Sequence, residues 1–399
     1  MRNVLIRLLS ILLTSYIAFT IIFRQYYFNI THAVDLLLII TFIVLMLVEK
    51  EERYKINSML GAYALFIAIS FASSFWGLDF YRSWYKASQL TLILINLFIM
   101  YNVVKKYDLM YTFFNGVLIG SFINYLILLN IVQVPFDIYI GMGVHLRAVG
   151  TMGNPNTLAT TMLISMLVSM LYLFKEKDMN KVFYYYQFIN IGLAAYVIVM
   201  TVSKKGILLG SSFLLIYLLL SLGSKRGINQ IIILSILSSI VLTYFIDWEA
   251  FSILLDYVGQ RFDVFANDIS HTNTAVNTST EIRKKLVEIG WNAFQERPML
   301  GYGLDNFRLI SRAEYSHNTF IELLVGVGLI GALAFYSIHI ILLKKIYMMR
   351  KSELKLFLYF FLCCTLLMDL TTVSYGAKLM LYALLYMTIL AESEREKGK

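Results

Sequence analysis

Long apolar segments follow one another along this chain, and only short polar gaps separate most of them. The 399 residues are 59% hydrophobic and 15% charged, whereas a soluble domain averages about 25% charged residues. About 20 consecutive apolar residues are enough for a helix to cross a bilayer. A transmembrane barrel would show alternating strands of about ten residues, and the sequence has no such pattern. The sequence therefore predicts an all-α polytopic membrane protein.

Twelve membrane spans are predicted from these segments. Arg2 precedes the first span and Arg7 lies within it, but the sequence has no small-residue cleavage site there. We therefore interpret this segment as an uncleaved span. The predicted spans are 3–22, 32–48, 57–75, 87–104, 110–132, 155–174, 182–201, 206–222, 228–247, 317–343, 355–372 and 375–391.

The basic residues of the gaps predict the orientation. Five gaps that fall on the same side as both termini carry clusters of Lys and Arg, which makes that side cytoplasmic. These clusters are Lys50, Arg53 and Lys55; Lys105 and Lys106; Lys175, Lys177 and Lys181; Lys225 and Arg226; and Lys344, Lys345, Arg350 and Lys351. The loops 133–154 and 248–316 are then extracytoplasmic. The chain divides into N-terminal helices (1–132), a second helical part (133–247), the large loop (248–316) and C-terminal helices with a short cytoplasmic tail (317–399).

Residues 281–331 combine a surface segment, a turn and a membrane entry. Ile282, Leu286, Ile289 and Ala293 recur at helical spacing among charged residues, which predicts an amphipathic helix along the membrane surface. Pro298 and the glycines of G-Y-G at 301–303 predict a turn. The polar run that follows ends at Ser316-His317-Asn318, where the next apolar span begins.

Three basic residues lie on the extracytoplasmic side next to apolar helix. Arg147 precedes the sixth span, and Lys204 and Lys205 lie between the seventh and eighth. Cations close to the bilayer core are costly and indicate function, although snorkelling to lipid headgroups is the alternative. Three such residues on one face favour an anion site, and a diphosphate is the natural ligand for ammonium and guanidinium groups.

Several polar residues near these cations have two interpretations. Asn154 and Asn156 flank Pro155 at a helix start, where they either cap the helix or contact a ligand. Glu322 and Asp369 lie within predicted spans. They either orient His317 or balance the cations.

His317 is the candidate catalytic residue, because it lies where a polar loop enters the membrane. A histidine there either transfers a proton or only hydrogen-bonds lipid headgroups. No cluster of residues has metal-ligand spacing. G-V-G-L-I-G at 326–331 lies inside a membrane helix without a preceding strand, so it does not predict a dinucleotide site. Close packing of helices through small residues explains it better.

Four motifs, taken together and in order, resemble the O-antigen ligase/polymerase family of polytopic glycosyltransferases. They are R-A-V-G-T-M-G-N-P-N-T-L-A from Arg147, S-K-K-G-I-L-L-G from Ser203, R-P-M-L-G-Y-G-L-D-N-F from Arg297 and H-N-T-F-I-E-L-L-V-G-V-G-L-I-G from His317. The resemblance spans residues 145–335.

The resemblance implies a GT-C-like helical fold and a glycan substrate carried on undecaprenyl diphosphate. It implies transfer at the outer face without a metal, a nucleotide sugar or another cofactor. The family's essential histidine corresponds to His317, and its arginines correspond to Arg147, Lys204 and Arg283. Lys204 departs from the family pattern, because lysine keeps the charge but loses bidentate geometry.

We therefore expect a metal-independent inverting glycosyltransferase that polymerises lipid-linked repeat units into a capsule, O-antigen or exopolysaccharide. The alternative within the family is a ligase that passes the glycan to another acceptor. A lipid-linked glycan flippase is an alternative of another class, but it predicts internal repeats and broken helices, and the sequence indicates neither. A non-catalytic scaffold would tolerate loss of His317. Expected partners are membrane lipid and other polysaccharide assembly proteins, and no nucleic acid is expected.

Overall fold

The structure is a computed structural model that describes residues 2–24, 28–49, 54–142, 145–175, 179–222, 227–229, 232–233, 256, 258–259, 278–312 and 315–396. Most of these residues are helical. The first eight helices are α1 (Arg2–Ile22), α2 (Phe28–Val48), α3 (Ser58–Ala72), α4 (Phe80–Tyr107), α5 (Tyr111–Leu128), α6 (Pro155–Lys175), α7 (Lys181–Met200) and α8 (Lys204–Ser221). The remaining five are α9 (Thr278–Glu296), α10 (Phe307–Ser311), α11 (Thr319–Tyr347), α12 (Glu353–Asp369) and α13 (Lys378–Glu396).

Nine helices within the described residues are long and apolar enough to cross a membrane. They are α1 to α8 and α11, and they coincide with nine of the predicted spans. The predicted span 228–247 lies outside the described residues, apart from a few positions. At the eleventh and twelfth predicted spans the chain is helical, but α12 has 17 residues and α13 ends in a charged turn. The protein is therefore a multi-pass membrane protein.

The chain folds as two compact units, each assembled from two stretches of sequence. The first unit contains Met1–Thr41 and Met110–Thr274. The second contains Phe42–Leu109 and Ala275–Lys399. Candidate site residues occur in both units.

Small residues allow the helices of the first unit to pack closely. A side chain at Gly116 or Gly120 of α5 would collide with Ile17 and Ile21 of α1, respectively. The two glycines are four positions apart, which is the spacing of the G-x-x-x-G packing motif in membrane helices. In the same way, Gly206 of α8 approaches the side chain of Ala159 of α6. Most of the α6 side chains are consequently buried between neighbouring helices.

The first unit also contains a feature that the prediction of an all-α fold missed. Strands β1 (Tyr139–Met142) and β2 (His145–Ala148) form an antiparallel hairpin in which Ile140 pairs with Arg147. Four-residue strands between two spans are too short to give a clear alternating pattern. The prediction was therefore wrong at this loop, although the other regular elements of the described chain are helices.

Candidate functional site

His317 occupies a strained turn at the start of α11 in the second unit. Its backbone is left-handed (φ 58°), which is unusual for a residue with a side chain. The turn is fixed locally, because the Ser316 hydroxyl donates to the Asn318 carbonyl at 2.7 Å. The side chain of Asn318 accepts from the amide of Ile321 at 3.1 Å and so caps the helix. The imidazole is half-buried and lies against the ring of Tyr315, with 4.2 Å between ring centres.

Two buried carboxylates hold the chain on either side of His317. Glu322, which is 3% exposed, accepts a hydrogen bond from the backbone amide of Ser316 at 2.9 Å. Asp369, which is 2% exposed, accepts from the Thr319 hydroxyl at 3.2 Å. Asp369 also accepts from Ser374 and Tyr336. Both carboxylates therefore fix the backbone that carries the histidine.

The loop between α9 and α10 is bonded to a break in α11. Gly328 has φ 65° and ψ −169°, so the regular hydrogen bonds of the helix are interrupted there. The loop replaces them: the amides of Tyr302 and Gly303 each donate at 2.8 Å, to the carbonyls of Val325 and Gly326. In the other direction, the amide of Leu329 donates to the carbonyl of Pro298 at 2.8 Å.

This break corrects two statements made from sequence. The G-V-G-L-I-G run packs closely, as predicted, but the partner of Gly328 is the backbone at Met299 and Leu300 of the loop. The sequence pattern also indicated no broken membrane helix, whereas α11 is broken at Gly328. Irregular backbone at membrane depth is tolerated where protein satisfies its polar groups. The loop performs that role here.

The predicted amphipathic helix is α9, but its buried face is narrower than predicted. Leu286 and Ala293 are buried, whereas Ile282 and Ile289 are exposed. The buried face includes Gly290, where a side chain would collide with Ile321 of α11. One cluster joins the helix, the loop and α11, and its buried members are Leu286, Ala293, Tyr302, Phe307, Ile321 and Val325.

Arg283 projects from the first half of α9 and is exposed. It belongs to the same unit as His317. Further along, at the end of α9, the hydroxyl of Tyr302 donates to Glu296 at 2.6 Å. Burial and, after it, this hydrogen bond to Glu296 raise the pKa of Tyr302. The phenol therefore remains a neutral donor that closes the turn after the helix.

In the first unit, Arg147 connects the hairpin to the turn between α7 and α8. Its side chain lies on β2 and is buried. Its Nε donates to the carbonyl of Thr201 at 2.8 Å, and one terminal nitrogen donates to Val202 at 3.4 Å. Val202 is left-handed (φ 48°) and directly precedes the cap of α8. The structure thus brings Arg147 to the turn that leads into Lys204.

The asparagines near Arg147 have structural partners. The side chain of Asn154 accepts from the amides of Asn156 and Thr157 at 2.9 and 3.3 Å, which caps α6. The side chain of Asn156 accepts from the hydroxyl of Ser203 at 2.8 Å, and Ser203 caps α8. These contacts tie the start of α6 to the start of α8. Lys204 and Lys205 form the first turn of α8 and are half-buried.

The candidate residues thus form two sets. Arg147, Asn154, Asn156, Lys204 and Lys205 lie in the first unit, and Arg283, His317, Asn318, Glu322 and Asp369 lie in the second. Sequence reasoning missed Ser316 and Thr319, whose hydroxyl groups mediate the contacts around His317. Only the general tendency of Ser and Thr to bond nearby backbone pointed to them. Within the described ranges, no three His, Cys, Asp or Glu residues are grouped so that they could hold a metal ion.

Comparison with known proteins supports the resemblance. Residues 189–336, little more than a third of the chain, match a family model described as O-antigen ligase. No curated protein matches the chain. The matched segment includes Lys204, Lys205, Arg283, His317, Asn318 and Glu322, whereas Arg147, Asn154, Asn156 and Asp369 lie outside it. The predicted resemblance to the O-antigen ligase/polymerase family is therefore confirmed over residues 189–336.

Proposed function

We propose that the protein polymerises undecaprenyl-diphosphate-linked oligosaccharide repeat units into a surface polysaccharide, from the premise that residues 189–336 match a family model described as O-antigen ligase. The reaction takes place at the outer face of the bacterial cytoplasmic membrane, with both termini in the cytoplasm. The observation that carries the proposal is His317, held in a left-handed turn within the matched region. Strained backbone that its surroundings over-determine is typical of functional sites.

His317 acts as the general base. A neutral imidazole nitrogen accepts the proton of an acceptor sugar hydroxyl as that oxygen attacks the anomeric carbon of the donor glycan. The bond from this carbon to the diphosphate oxygen breaks, and its electron pair leaves with the diphosphate. Direct displacement inverts the anomeric centre. A positioned base of this kind contributes about 10²–10⁴ in rate.

Basic residues stabilise the leaving group. We assign this role to Arg147, Lys204, Lys205 and Arg283, because ammonium and guanidinium groups complement the charge that grows on a departing diphosphate. The reaction needs neither a metal nor another cofactor. Glu322 and Asp369 are positioning residues, since they contact the backbone and side chains around His317. Asn154, Asn156 and Asn318 support the starts of α6, α8 and α11.

A ligase is the second candidate, because the matching family model is described by that activity. The sequence favours polymerase weakly, because a polymerase joins two lipid-linked substrates and the basic groups form two sets. One set is Arg147 with Lys204 and Lys205, and the other runs from Arg283 to Lys285. Membrane helices that are broken, as α11 is, also occur in transporters. Here the loop around Tyr302 satisfies the interrupted backbone, so the break does not by itself favour a flippase.

Reconstitution separates these functions. Purified protein in liposomes receives lipid-linked repeat units and no other acceptor. A ladder of longer lipid-linked glycans supports polymerase. Transfer that begins only after a distinct acceptor is added indicates a ligase, and translocation of the glycan without a new glycosidic bond indicates a flippase.

The role of His317 is tested in the same assay. His317→Ala is expected to insert and accumulate normally but to lose glycan transfer. His32→Ala is the matched control, because the proposal gives His32 no role. If His317→Ala forms near-normal polymer, the general-base assignment is wrong.

A further inference from the structure

Lys86 places a cation inside a membrane-spanning helix. It is six residues after Phe80, the first residue of α4, and thus about 9 Å along the helix axis. Its side chain is half-buried. Among the described residues, no carboxylate lies within ion-pair distance of its ammonium group. A charge within a membrane-spanning helix that has no counter-charge is costly and indicates a functional site.

The ammonium group of Lys86 lies near the chain that supports His317. Its Nζ is 5.7 Å from the centre of the Tyr375 ring. Its end also lies beside Gly376, where an added side chain would contact Nζ and Cε at about 4 Å. Ser374, the residue before Tyr375, donates its backbone amide to the Thr319 hydroxyl at 3.0 Å. Thr319 is two residues beyond His317, and two residues of chain span at most about 7 Å.

Two arginines lie in the same part of the second unit. Arg82 is one helical turn before Lys86, and Arg308 is on α10. Both guanidinium groups face the same carboxylate oxygen of Asp305, at 3.7 and 3.6 Å. The Nε atoms of both arginines are buried and make no hydrogen bond within the described part of the chain.

Asp305 lies within ion-pair distance of both arginines, and Arg82 also lies 3.8 Å from Asp79. Neither aspartate forms an ion pair with Lys86. The charges of Asp305 and Arg308 also act on the Glu322 carboxyl group, which holds the turn of His317. Arg308 thus acts on the carboxyl group that supports the candidate base and shares Asp305 with Arg82. A cation–π contact with Tyr375 offsets only a small part of the cost of a buried charge, about 0.5–1 kcal/mol at exposed sites.

We infer that Lys86 is a further substrate-binding residue, whose ammonium group contacts a phosphate of the lipid-linked diphosphate. The inference rests on the proposed function, which supplies a diphosphate next to the reacting sugar carbon. A long lysine side chain also reaches lipid headgroups by snorkelling. Phosphate is common to both ligands, so the test must distinguish a polyprenyl diphosphate from a phospholipid.

The test measures binding to the full-length protein in phosphatidylcholine nanodiscs. Farnesyl diphosphate is titrated as the probe in one arm, and phosphatidylglycerol is the ligand in the other. Lys86→Met is compared with Lys86→Arg and with Lys351→Met, an exposed lysine between α11 and α12 that has no assigned role. Thermal unfolding of each variant shows whether it is folded, and Lys86→Gln replaces Lys86→Met if that variant is not.

The expected result is a loss of about tenfold in farnesyl diphosphate affinity for Lys86→Met, because one charge-assisted hydrogen bond is removed. Lys86→Arg and Lys351→Met should bind it as the wild type does, and phosphatidylglycerol binding should not change. Equal farnesyl diphosphate binding by Lys86→Met and wild type would overturn the inference. So would an equal loss for both ligands, which indicates a headgroup contact. Neither result affects the proposed function, because glycan transfer by the wild type tests that separately.

Discussion

At the scale of single residues, the second unit holds His317 in a strained backbone conformation. A left-handed residue other than glycine costs about 1–2 kcal/mol, and His317 adopts that conformation. The cost is offset by the Ser316 amide bonded to Glu322 and by the cap at Asn318. The direction in which the imidazole leaves the chain is therefore determined by buried groups that do not react.

This arrangement predicts how Glu322 acts. Glu322→Gln keeps an oxygen that accepts from Ser316, so it should fold normally and retain much of its transfer activity. Glu322→Leu leaves that buried amide unsatisfied, which costs about 1–3 kcal/mol, and should lower kcat more than it raises KM. Steady-state transfer kinetics measure both values. If both variants are inactive with unchanged unfolding, Glu322 has a direct chemical role instead of a positioning role.

Lys204 gives a second residue prediction, because it stands where the family resemblance implies arginine. If its charge binds diphosphate, Lys204→Arg should keep transfer activity and Lys204→Ala should lose most of it. Activity is measured with lipid-linked repeat units, with and without EDTA, and EDTA should have no effect on either variant. Equal activity of the two variants would move the contact to Lys205 or leave only snorkelling.

At the scale of elements, the break in α11 and the loop after α9 are one structural device. Only glycine fits at position 328, because the loop backbone at Met299 and Leu300 passes directly beside it. The break also places Tyr302 and Phe307 of the loop region against α9 and α11. The loop thereby links the helix that carries Arg283 to the helix that begins after His317.

Gly328→Ala tests this device. The new side chain would meet the Met299 carbonyl and would occupy a backbone conformation at φ 65° that alanine disfavours. We expect a loss of about 2–5 kcal/mol in the free energy of unfolding. Gly61→Ala is the matched control, since Gly61 lies in α3 with nothing within 4 Å. It should be neutral or stabilising by up to about 1 kcal/mol. Chemical denaturation in detergent measures both, and equal stabilities would contradict the assigned role of the break.

The helices could be predicted from sequence, and their interruptions could not. Apolar length alone determines that α6 or α11 spans a bilayer, and Asn154 followed by Pro155 correctly indicated the start of α6. The break at Gly328 depends on hydrogen bonds from a loop some 25 residues earlier in the chain. No local pattern encodes such a partner. The hairpin around Arg147 was missed for a similar reason, because its register depends on pairing across a short turn.

The sequence predicted the candidate residues whose chemistry depends on their type. It did not predict the residues whose role depends on contacts made in the folded protein. His317 and the basic residues stand out because such side chains are rare beside apolar spans. Ser and Thr are common residues, and only the fold brings a carboxylate to the amide of Ser316 and to the hydroxyl of Thr319. Lys86 was overlooked because the predicted span began after it, at residue 87, whereas α4 begins at Phe80.

At the scale of the whole molecule, chain order and spatial organisation differ. Each unit joins an early segment of sequence to a late one. The matched region, residues 189–336, contributes to both units. Of the proposed leaving-group cations, Arg147, Lys204 and Lys205 belong to the first unit, whereas Arg283 belongs to the second unit together with His317. Function at the outer face requires that His317 lies on the extracytoplasmic side of the membrane.

The charge distribution predicts that orientation. Lys105 and Lys106 end α4, and Lys344 and Lys345 end α11. The positive-inside rule makes these ends cytoplasmic and the starts of both helices extracytoplasmic. Tyr81 and Tyr347 lie at opposite ends of these helices and are 83% and 73% exposed. In a background where Cys363 and Cys364 are replaced, Tyr81→Cys should react with an impermeant thiol reagent in intact cells.

Tyr347→Cys should react only after the membrane is permeabilised, and labelling of both variants in permeabilised cells is the control for thiol accessibility. The outcome also decides whether the proposed chemistry is possible. His317 directly precedes the start of α11, and Lys86 lies close to the start of α4. If Tyr347→Cys is labelled in intact cells and Tyr81→Cys is not, His317 and Lys86 face the cytoplasm. Glycan transfer at the outer face would then be excluded for this protein.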